Sequence, residues 1–284
     1  MKLKGCALSR ITDVEEILAL INWGNFVQLY GDEVVSVTNC HSQIYNSHST
    51  SEMTVKSFFE SPEEQLYLKD WHFEKLKNVA LPCNIKQDWM NEYFIDNDFK
   101  FLYIGKKQSW TPVHTDVYNS HSWSVNLVGR KLWYFFAPDH PHFDQILNSF
   151  DARHFKPSLL FTTYPGDVVW VPTGWAHQVH NLDSLTVSYN RNWCDGDNIL
   201  DMAIYLHCEL LRVKKELCDI PMNEKERHIE ENRVFSSLVG ISLPDFSKWM
   251  NEMFARYHIK SAITAIEYVY HGTSNQKAIH VPKS

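Results

Sequence analysis

Nowhere in the 284 residues does an apolar run approach the roughly 18 needed to cross a bilayer. The opening stretch, MKLKGCALSRITDVEE, turns charged before an apolar segment of signal-peptide length accumulates. The six cysteines (Cys6, Cys40, Cys83, Cys194, Cys208 and Cys218) are scattered and form no CxxC pair, so they read as free thiols in a reducing compartment rather than a disulfide framework. Basic excess is missing too: 27 Lys and Arg face 34 Asp and Glu, a net charge of −7, which lacks the basic stripe of a nucleic-acid binder. No internal repeat or low-complexity tract is present. These absences describe an intracellular protein of cytosol or nucleus, with neither membrane nor direct nucleic-acid contact. Its acidic balance suits a basic protein or peptide partner.

Aromatic residues are abundant, at 14% of the chain, with ten Trp and sixteen Phe, and the length allows one large domain or a domain with an appendage. Thr12 and Glu15 have capping-box spacing and predict a helix through about Trp23, with Ile17, Leu18 and Ile21 buried. VVSV (34–37) and QLYLKDW (65–71) read as strands, with a short helix from about Thr54 between them. FKFLYIG (99–105) sets Phe99, Phe101 and Tyr103 on one face. WSVNLV (123–128) and KLWYFFA (131–137) flank Gly129–Arg130, which reads as a two-residue hairpin turn. After a polar loop over 138–158 come GDVVWVP (166–172) and SLTVSYNRNW (184–193). Short strands without alternating helices indicate an antiparallel barrel or sandwich. Beyond Asp197 the period changes: Ile199, Ala203, Leu206, Leu210, Val213 and Leu217 mark a helix over 198–217, and a second is expected from Phe246 to about Tyr257.

WTPVHTDVYNSHSW (110–123) contains His114 and Asp116 two residues apart, which project together from extended chain. An imidazole beside a carboxylate makes two thirds of the 2-His-1-carboxylate triad of non-haem Fe(II) sites. GDVVWVPTGWAHQVHN supplies a strand, a Pro/Gly turn and then His177, suited to deliver the third ligand from another strand. His180, three residues on, faces the other way in extended chain, and His121 reads as a loop or pocket-lining residue. His140, His142 and His154 fall in the 138–158 loop, where solvated side chains are the default. A zinc site, or a cupin that keeps the shape without the chemistry, stays open at this point.

The segments YGDEVVSVTNC, LYLKDW, DWMNEYF, SWTPVHTDVYNSHSWSVNLVGRKLWYFFAP, PGDVVWVPTGWAHQVHNLD and TVSYNRNW together resemble the Jumonji-C family of Fe(II)- and 2-oxoglutarate-dependent oxygenases. Their order is similar to one branch of it, the jumonji domain-containing protein four type, lysyl hydroxylases of the translation termination factor. The resemblance covers roughly residues 29–218, is most specific over 109–137, and fades in the C-terminal third. It implies a double-stranded β-helix (a jelly-roll, cupin-like core), mainly β with flanking helices. The implied layout is a catalytic domain over 1–196 with N-terminal helices, a C-terminal helical region over 197–274 and a tail at 275–284. The first matching block lies about thirty residues in, which implies a shortened N-terminal region.

The resemblance also implies residue roles. His114, Asp116 and His177 would ligate Fe(II), leaving three positions for 2-oxoglutarate and O2 as co-substrates. Lys131 would anchor the distal carboxylate of 2-oxoglutarate, with the hydroxyls of Tyr67 and Thr111 bracketing it. Asn190 and Asn192 match polar pocket positions, while Trp123, Trp133 and Trp175 read as core or pocket wall. The implied reaction is hydroxylation of a lysine carbon in the NIKS motif of the eukaryotic release factor. N-methyl-lysine demethylation and a non-catalytic jelly-roll scaffold are the alternatives. The loops 42–52 and 138–158 are expected at the pocket rim. The apolar stripe of 198–217 fits packing on the barrel and a dimer surface equally, so oligomeric state is open.

Overall fold

The computed structural model describes residues 7–10, 14–44, 47–76, 79, 87–95 and 98–272. Thr12 of the expected capping box, Cys6, Cys83 and the tail lie outside them. The amino-terminal part carries β1 (Ala7–Arg10), α1 (Val14–Leu20), α2 (Phe26–Tyr30), β2 (Val34–Ile44), β3 (Ser47–Thr54), α3 (Val55–Glu60), β4 (Leu66–Trp71) and α4 (Trp89–Tyr93). The middle carries β5 (Lys100–Lys106), β6 (Trp110–His114), β7 (His121–Val128), β8 (Lys131–Phe136), α5 (Phe143–Leu147), β9 (Leu159–Thr163), β10 (Asp167–Val171), β11 (Ala176–Asn181) and β12 (Leu185–Trp193). Four helices follow: α6 (Ile199–Glu216), α7 (Glu224–Val239), α8 (Leu243–Tyr257) and α9 (Ser261–His271).

The strands form two antiparallel sheets, β1-β10-β7-β12-β5-β4-β2-β3 and β6-β11-β8-β9. From β5 onward every connection except β8–β9 carries the chain from one sheet to the other. That alternation is the wrap of a double-stranded β-helix, as expected. It also corrects the hairpin at Gly129–Arg130: β7 pairs with β10 and β12, whereas β8 pairs with β11 and β9. Gly129 (φ +70°) turns a corner between sheets, where a Cβ would run into the Leu185 carbonyl oxygen. A short glycine-bearing turn between apolar strands looks alike in sequence whether the second strand folds back beside the first or crosses to the facing sheet.

The central strands of the larger sheet bury two faces. On the outer face Leu68, Leu102, Ile104, Trp123, Val125, Val168, Trp170, Val187 and Tyr189 pack with Ile21, Phe26, Val55 and Phe58 of the amino-terminal segment. The inner face, with Tyr67, Phe101, Tyr103, Ser122, Ser124, Asn190 and Asn192, looks into a cavity between the sheets. Phe99, Phe101 and Tyr103 line that cavity together, as strand parity requires.

Three local expectations need correction. α1 ends at Leu20, and Trp23–Asn25 is a separate 3-10 turn preceded by Asn22 in the left-handed region (φ 52°). The supposed loop 42–52 belongs mostly to the β2–β3 pair, whose register runs from Val34↔Thr54 to Ile44↔Ser47; its polarity reflects exposed strand faces. The 138–158 segment contains α5, whose Phe143 and Ile146 are buried against Val113, Phe136 and Ala176 behind the smaller sheet.

α6 buries Ile199, Met202, Ala203, Leu206, Leu210 and Val213. It shares a core with Phe246, Trp249, Met250 and Met253 of α8, Ala262, Ala265 and Val269 of α9, and Trp89, Met90 and Tyr118. The Trp249 indole donates to the Trp89 carbonyl at 3.0 Å. Of these helices, α7 and α9 escaped the sequence reading, although Asn223 and Glu226 form a capping box and Gly240 (φ 80°) ends α7.

α4 is clamped to β12. The Arg191 Nε donates to Asp88 Oδ2 at 2.8 Å, and the two side chains are 8% and 2% exposed. Asn91 Nδ2 donates to the Asn192 carbonyl at 2.8 Å. Removing one partner of a buried ion pair strands the other charge. Asp88→Ala is therefore expected to cost about 3–5 kcal/mol, seen as a lowered urea midpoint with unchanged slope.

Candidate metal centre

β6 and β11 pair antiparallel with His177 directly opposite His114, and their ring centroids lie 4.3 Å apart. Asp116 follows two residues beyond His114 in extended conformation (φ −66°, ψ 158°), immediately before a 3-10 turn at Val117–Asn119. The three side chains bring their ligand atoms within 4.8 Å of one another. His177 is buried, whereas His114 is exposed, so the cluster opens to solvent on one side.

Both imidazoles are oriented by the backbone. His114 Nδ1 lies 2.8 Å from the Pro112 carbonyl, and His177 Nδ1 lies 3.5 Å from the Trp175 carbonyl. A carbonyl only accepts, so each Nδ1 carries the proton and each Nε2 keeps its lone pair for a metal. Burial, then the neighbouring His114, lowers His177 to about 4, which keeps it neutral as a ligand must be. Ser122 Oγ donates to Asp116 Oδ2 at 2.8 Å and aims the carboxylate. Two imidazoles and one carboxylate brought together are the donor set that suits non-haem Fe(II).

The cavity beside this cluster has a volume of about 440 Å³ and is lined by the triad with Tyr67, Thr111, Lys131, Asn190 and Asn192, so all eight expected site residues meet there. Trp133 forms part of its wall; Trp123 borders it while packing in the outer-face core, and Trp175 packs on Phe135 instead. Lys131 opens β8 and is 2% exposed. Its Nζ donates to Tyr67 Oη at 3.1 Å and Ser188 Oγ at 2.7 Å, and lies 5.6 Å and 6.0 Å from the Tyr67 and Tyr103 ring centres. No ion pair among the described residues includes it, and burial pushes it down to about 7. Arg130 next to it is exposed and pairs with Asp183 at 2.7 Å. A buried ammonium held only by hydroxyls is a ready site for an anion.

Thr111 Oγ1 accepts from the Val179 amide at 3.1 Å where the β6–β11 register slips, so its hydroxyl proton is free to point into the cavity. Asn190 Nδ2 donates to Ser188 Oγ at 3.1 Å, and Asn192 Nδ2 to Ser120 Oγ at 3.3 Å. Ser188, Ser122 and Tyr103 are site residues that the motifs did not mark. Strand parity could have found two of them, since Ser188 extends the 190, 192 series and Ser122 shares a face with Ser124.

Three of the other histidines have different duties. His121 begins β7 rather than lying in a loop; it is absent from the cavity lining, and its Nδ1 accepts from the Thr173 amide at 2.8 Å. His180 faces away, stacked on Trp110 at 5.3 Å, as its odd spacing from His177 required. His140, in the 138–158 segment, donates to the Lys156 carbonyl at 3.0 Å.

Two outcomes test the site. Asp116→Ala should abolish Fe(II) or Mn(II) binding by calorimetry, and Ser122→Ala should weaken it about ten- to hundredfold. Lys131 has a folded pKa of about 7, below the 10.5 of the open chain. Between these values the unfolded chain binds more protons, so stability rises with pH across that window and the penalty is fully present below it. Denaturant unfolding at about pH 6 and 9.5 should differ on this account by roughly 3 kcal/mol, and Lys131→Met should remove that difference.

A family model described as JmjC domain, hydroxylase matches residues 101–155, from within β5 to beyond α5, and includes His114, Asp116 and Lys131. The chain is 34% identical over 260 residues to the 2-oxoglutarate and iron-dependent oxygenase JMJD4 of Homo sapiens, covering 79% of this chain and 62% of that protein. It is 29% identical over 303 residues to the JMJD4 homolog of Drosophila melanogaster, covering 92% of this chain and 70% of that protein. It is 33% identical over 219 residues to the arginine-specific demethylase JMJ20 of Arabidopsis thaliana, covering 61% and 47% respectively. The chain thus spans about three fifths of the length of the vertebrate relatives it matches. A matching domain model, a sheet-switching β core and a His-Asp-His cluster at the mouth of its cavity agree in likening this chain to the JmjC family.

Proposed function

We propose that this protein is an Fe(II)- and 2-oxoglutarate-dependent protein hydroxylase. Its substrate in this reading is a lysine side chain in the NIKS motif of the eukaryotic translation release factor. The observation that carries the oxygenase reading is Lys131, a buried ammonium with hydroxyl partners only, in the same cavity as three metal-ligating side chains. That layout suits a co-substrate with a carboxylate at one end and a metal-binding group at the other. The lysine and release-factor parts rest on the resemblance of the motifs, supported by relatives named as oxygenases of the JMJD4 type.

His114, Asp116 and His177 hold Fe(II). Lys131, with Tyr67 and Thr111 as further hydroxyl donors, holds the distal carboxylate of 2-oxoglutarate, and Asn190 and Asn192 complete the polar wall. When bound, Fe(II) and 2-oxoglutarate would supply the oxidising power that places one atom of O2 on a substrate carbon and the other in succinate, with loss of CO2 from 2-oxoglutarate. The chain's own residues fix the co-substrate's orientation, keep the Lys131 end dry and leave the His114 side open for the peptide.

Demethylation is the second reading, favoured by relatives named arginine-specific demethylase JMJ20 and lysine-specific demethylase JMJ21. A non-catalytic scaffold has less support, because triad and lysine are both intact. Recombinant release factor incubated with protein, Fe(II), ascorbate and 2-oxoglutarate should gain one oxygen on the NIKS lysine by mass spectrometry. Loss of methyl groups from a methylated peptide instead would select demethylation. Failure to consume 2-oxoglutarate with either would leave the scaffold, and Lys131→Met should abolish consumption in both enzymatic cases.

A further inference from the structure

Asp70 breaks the parity of β4. Leu68 packs in the core, while Tyr67 and Lys69 line the cavity, so on a regular strand residue 70 would share the core face of Leu68. Instead Asp70 has φ +58°, and the β4–β5 register slips between Leu68 and Trp71. Trp71 packs against the core, and the Asp70 carboxylate turns into the cavity that holds the triad. Bulges of this kind re-aim side chains beside active sites, and Asp adopts the left-handed region more readily than most residues.

The position is specific. Asp70 Oδ1 accepts from the Tyr103 hydroxyl at 2.5 Å, and the Tyr103 ring in turn faces Lys131 Nζ at 6.0 Å. The cavity thus has a buried positive end at Lys131 and a carboxylate at its exposed end, since the Asp70 side chain is 57% exposed. Asp70 pairs with Lys69, whose Nζ lies 4.0 Å from Oδ2, too loose a pair to hold that oxygen. An ammonium can therefore already approach Oδ2, while Oδ1 is occupied by Tyr103. That leaves room for a compact ammonium and not for the two-pronged approach that a guanidinium prefers.

We infer that Asp70 selects the substrate: it receives the ammonium of a lysine side chain whose carbon atoms lie toward His114, Asp116 and His177. The inference rests on the oxygenase reading above in that it takes the cavity to be a substrate site. It names the residue responsible for taking lysine rather than arginine.

The test uses protein loaded with Mn(II) and 2-oxoglutarate, with Nα-acetyl-lysine methylamide as probe and its norleucine and arginine counterparts as comparisons. Broadening of probe side-chain protons by the paramagnetic ion reads both affinity and approach to the metal. The lysine probe is expected to bind about tenfold more tightly than the norleucine probe, or ~1.4 kcal/mol, and more tightly than the arginine probe. Asp70→Asn keeps a side chain that tolerates the left-handed backbone and an acceptor for Tyr103, and it should erase the preference over norleucine. A wild-type protein without preference for lysine, or an Asp70→Asn protein that retains it, overturns the inference. Broadening of labelled 2-oxoglutarate in the same samples separates the two readings. Entry of 2-oxoglutarate without lysine preference defeats the inference alone, and exclusion of 2-oxoglutarate defeats both.

Discussion

The pairing of β6 with β11 is the contact on which the site depends. It sets His177 opposite His114 and, through strand geometry, brings Asp116 to the same place. Two residues further along, the register slips, and the Thr111 hydroxyl takes up the Val179 amide that the irregularity would otherwise leave unpaired. The irregularity shifts the ladder, which resumes at Val179↔Thr111, and Thr111 lines the cavity. The smaller sheet holds this geometry because it is backed on one side by α5 and faces the larger sheet on the other.

The polar side chains of the cavity divide by charge. Around Lys131 stand hydroxyls, from Tyr67 and Ser188, and no ion pair among the described residues includes it. An aspartate there would neutralise the ammonium and stabilise the empty protein, but it would also occupy the position that an anionic co-substrate needs. The protein keeps a buried charge without a counter-ion, at a cost to its stability, and that is the mark of a binding site rather than of a structural ion pair. Asp88 and Arg191 provide the contrast: equally buried, mutually satisfied, and used to fasten α4 to β12.

Much of this was legible from spacing. His114 with Asp116, Asn190 with Asn192, and Phe101 with Tyr103 are pairs at separation two, and in each case the folded strand presents both members to the cavity. The stripe along α6 was readable for the same reason, since helical period is a property of the local backbone. Elsewhere local signals were present and passed over: the capping box at Asn223 and Glu226 announces α7. In other places no local signal could serve. Gly129–Arg130 has the form of a hairpin turn, yet β8 finds its partners in β9 and β11, tens of residues downstream.

Asp70 shows the division most sharply. Its neighbours in LYLKDW announce a strand, and alternation would send residue 70 into the core; only the register slip against β5 and the left-handed backbone turn it to the cavity. The sequence by itself determined the elements, the parity within each strand and the identity of the residues able to bind metal or anion, because these depend on backbone geometry over a few residues. The tertiary structure decided which strands face one another, where the ladders slip, and hence that His114 meets His177 and Lys131 meets Tyr67. Those meetings span 63 and 64 residues, and such separations are closed only by packing two whole sheets together.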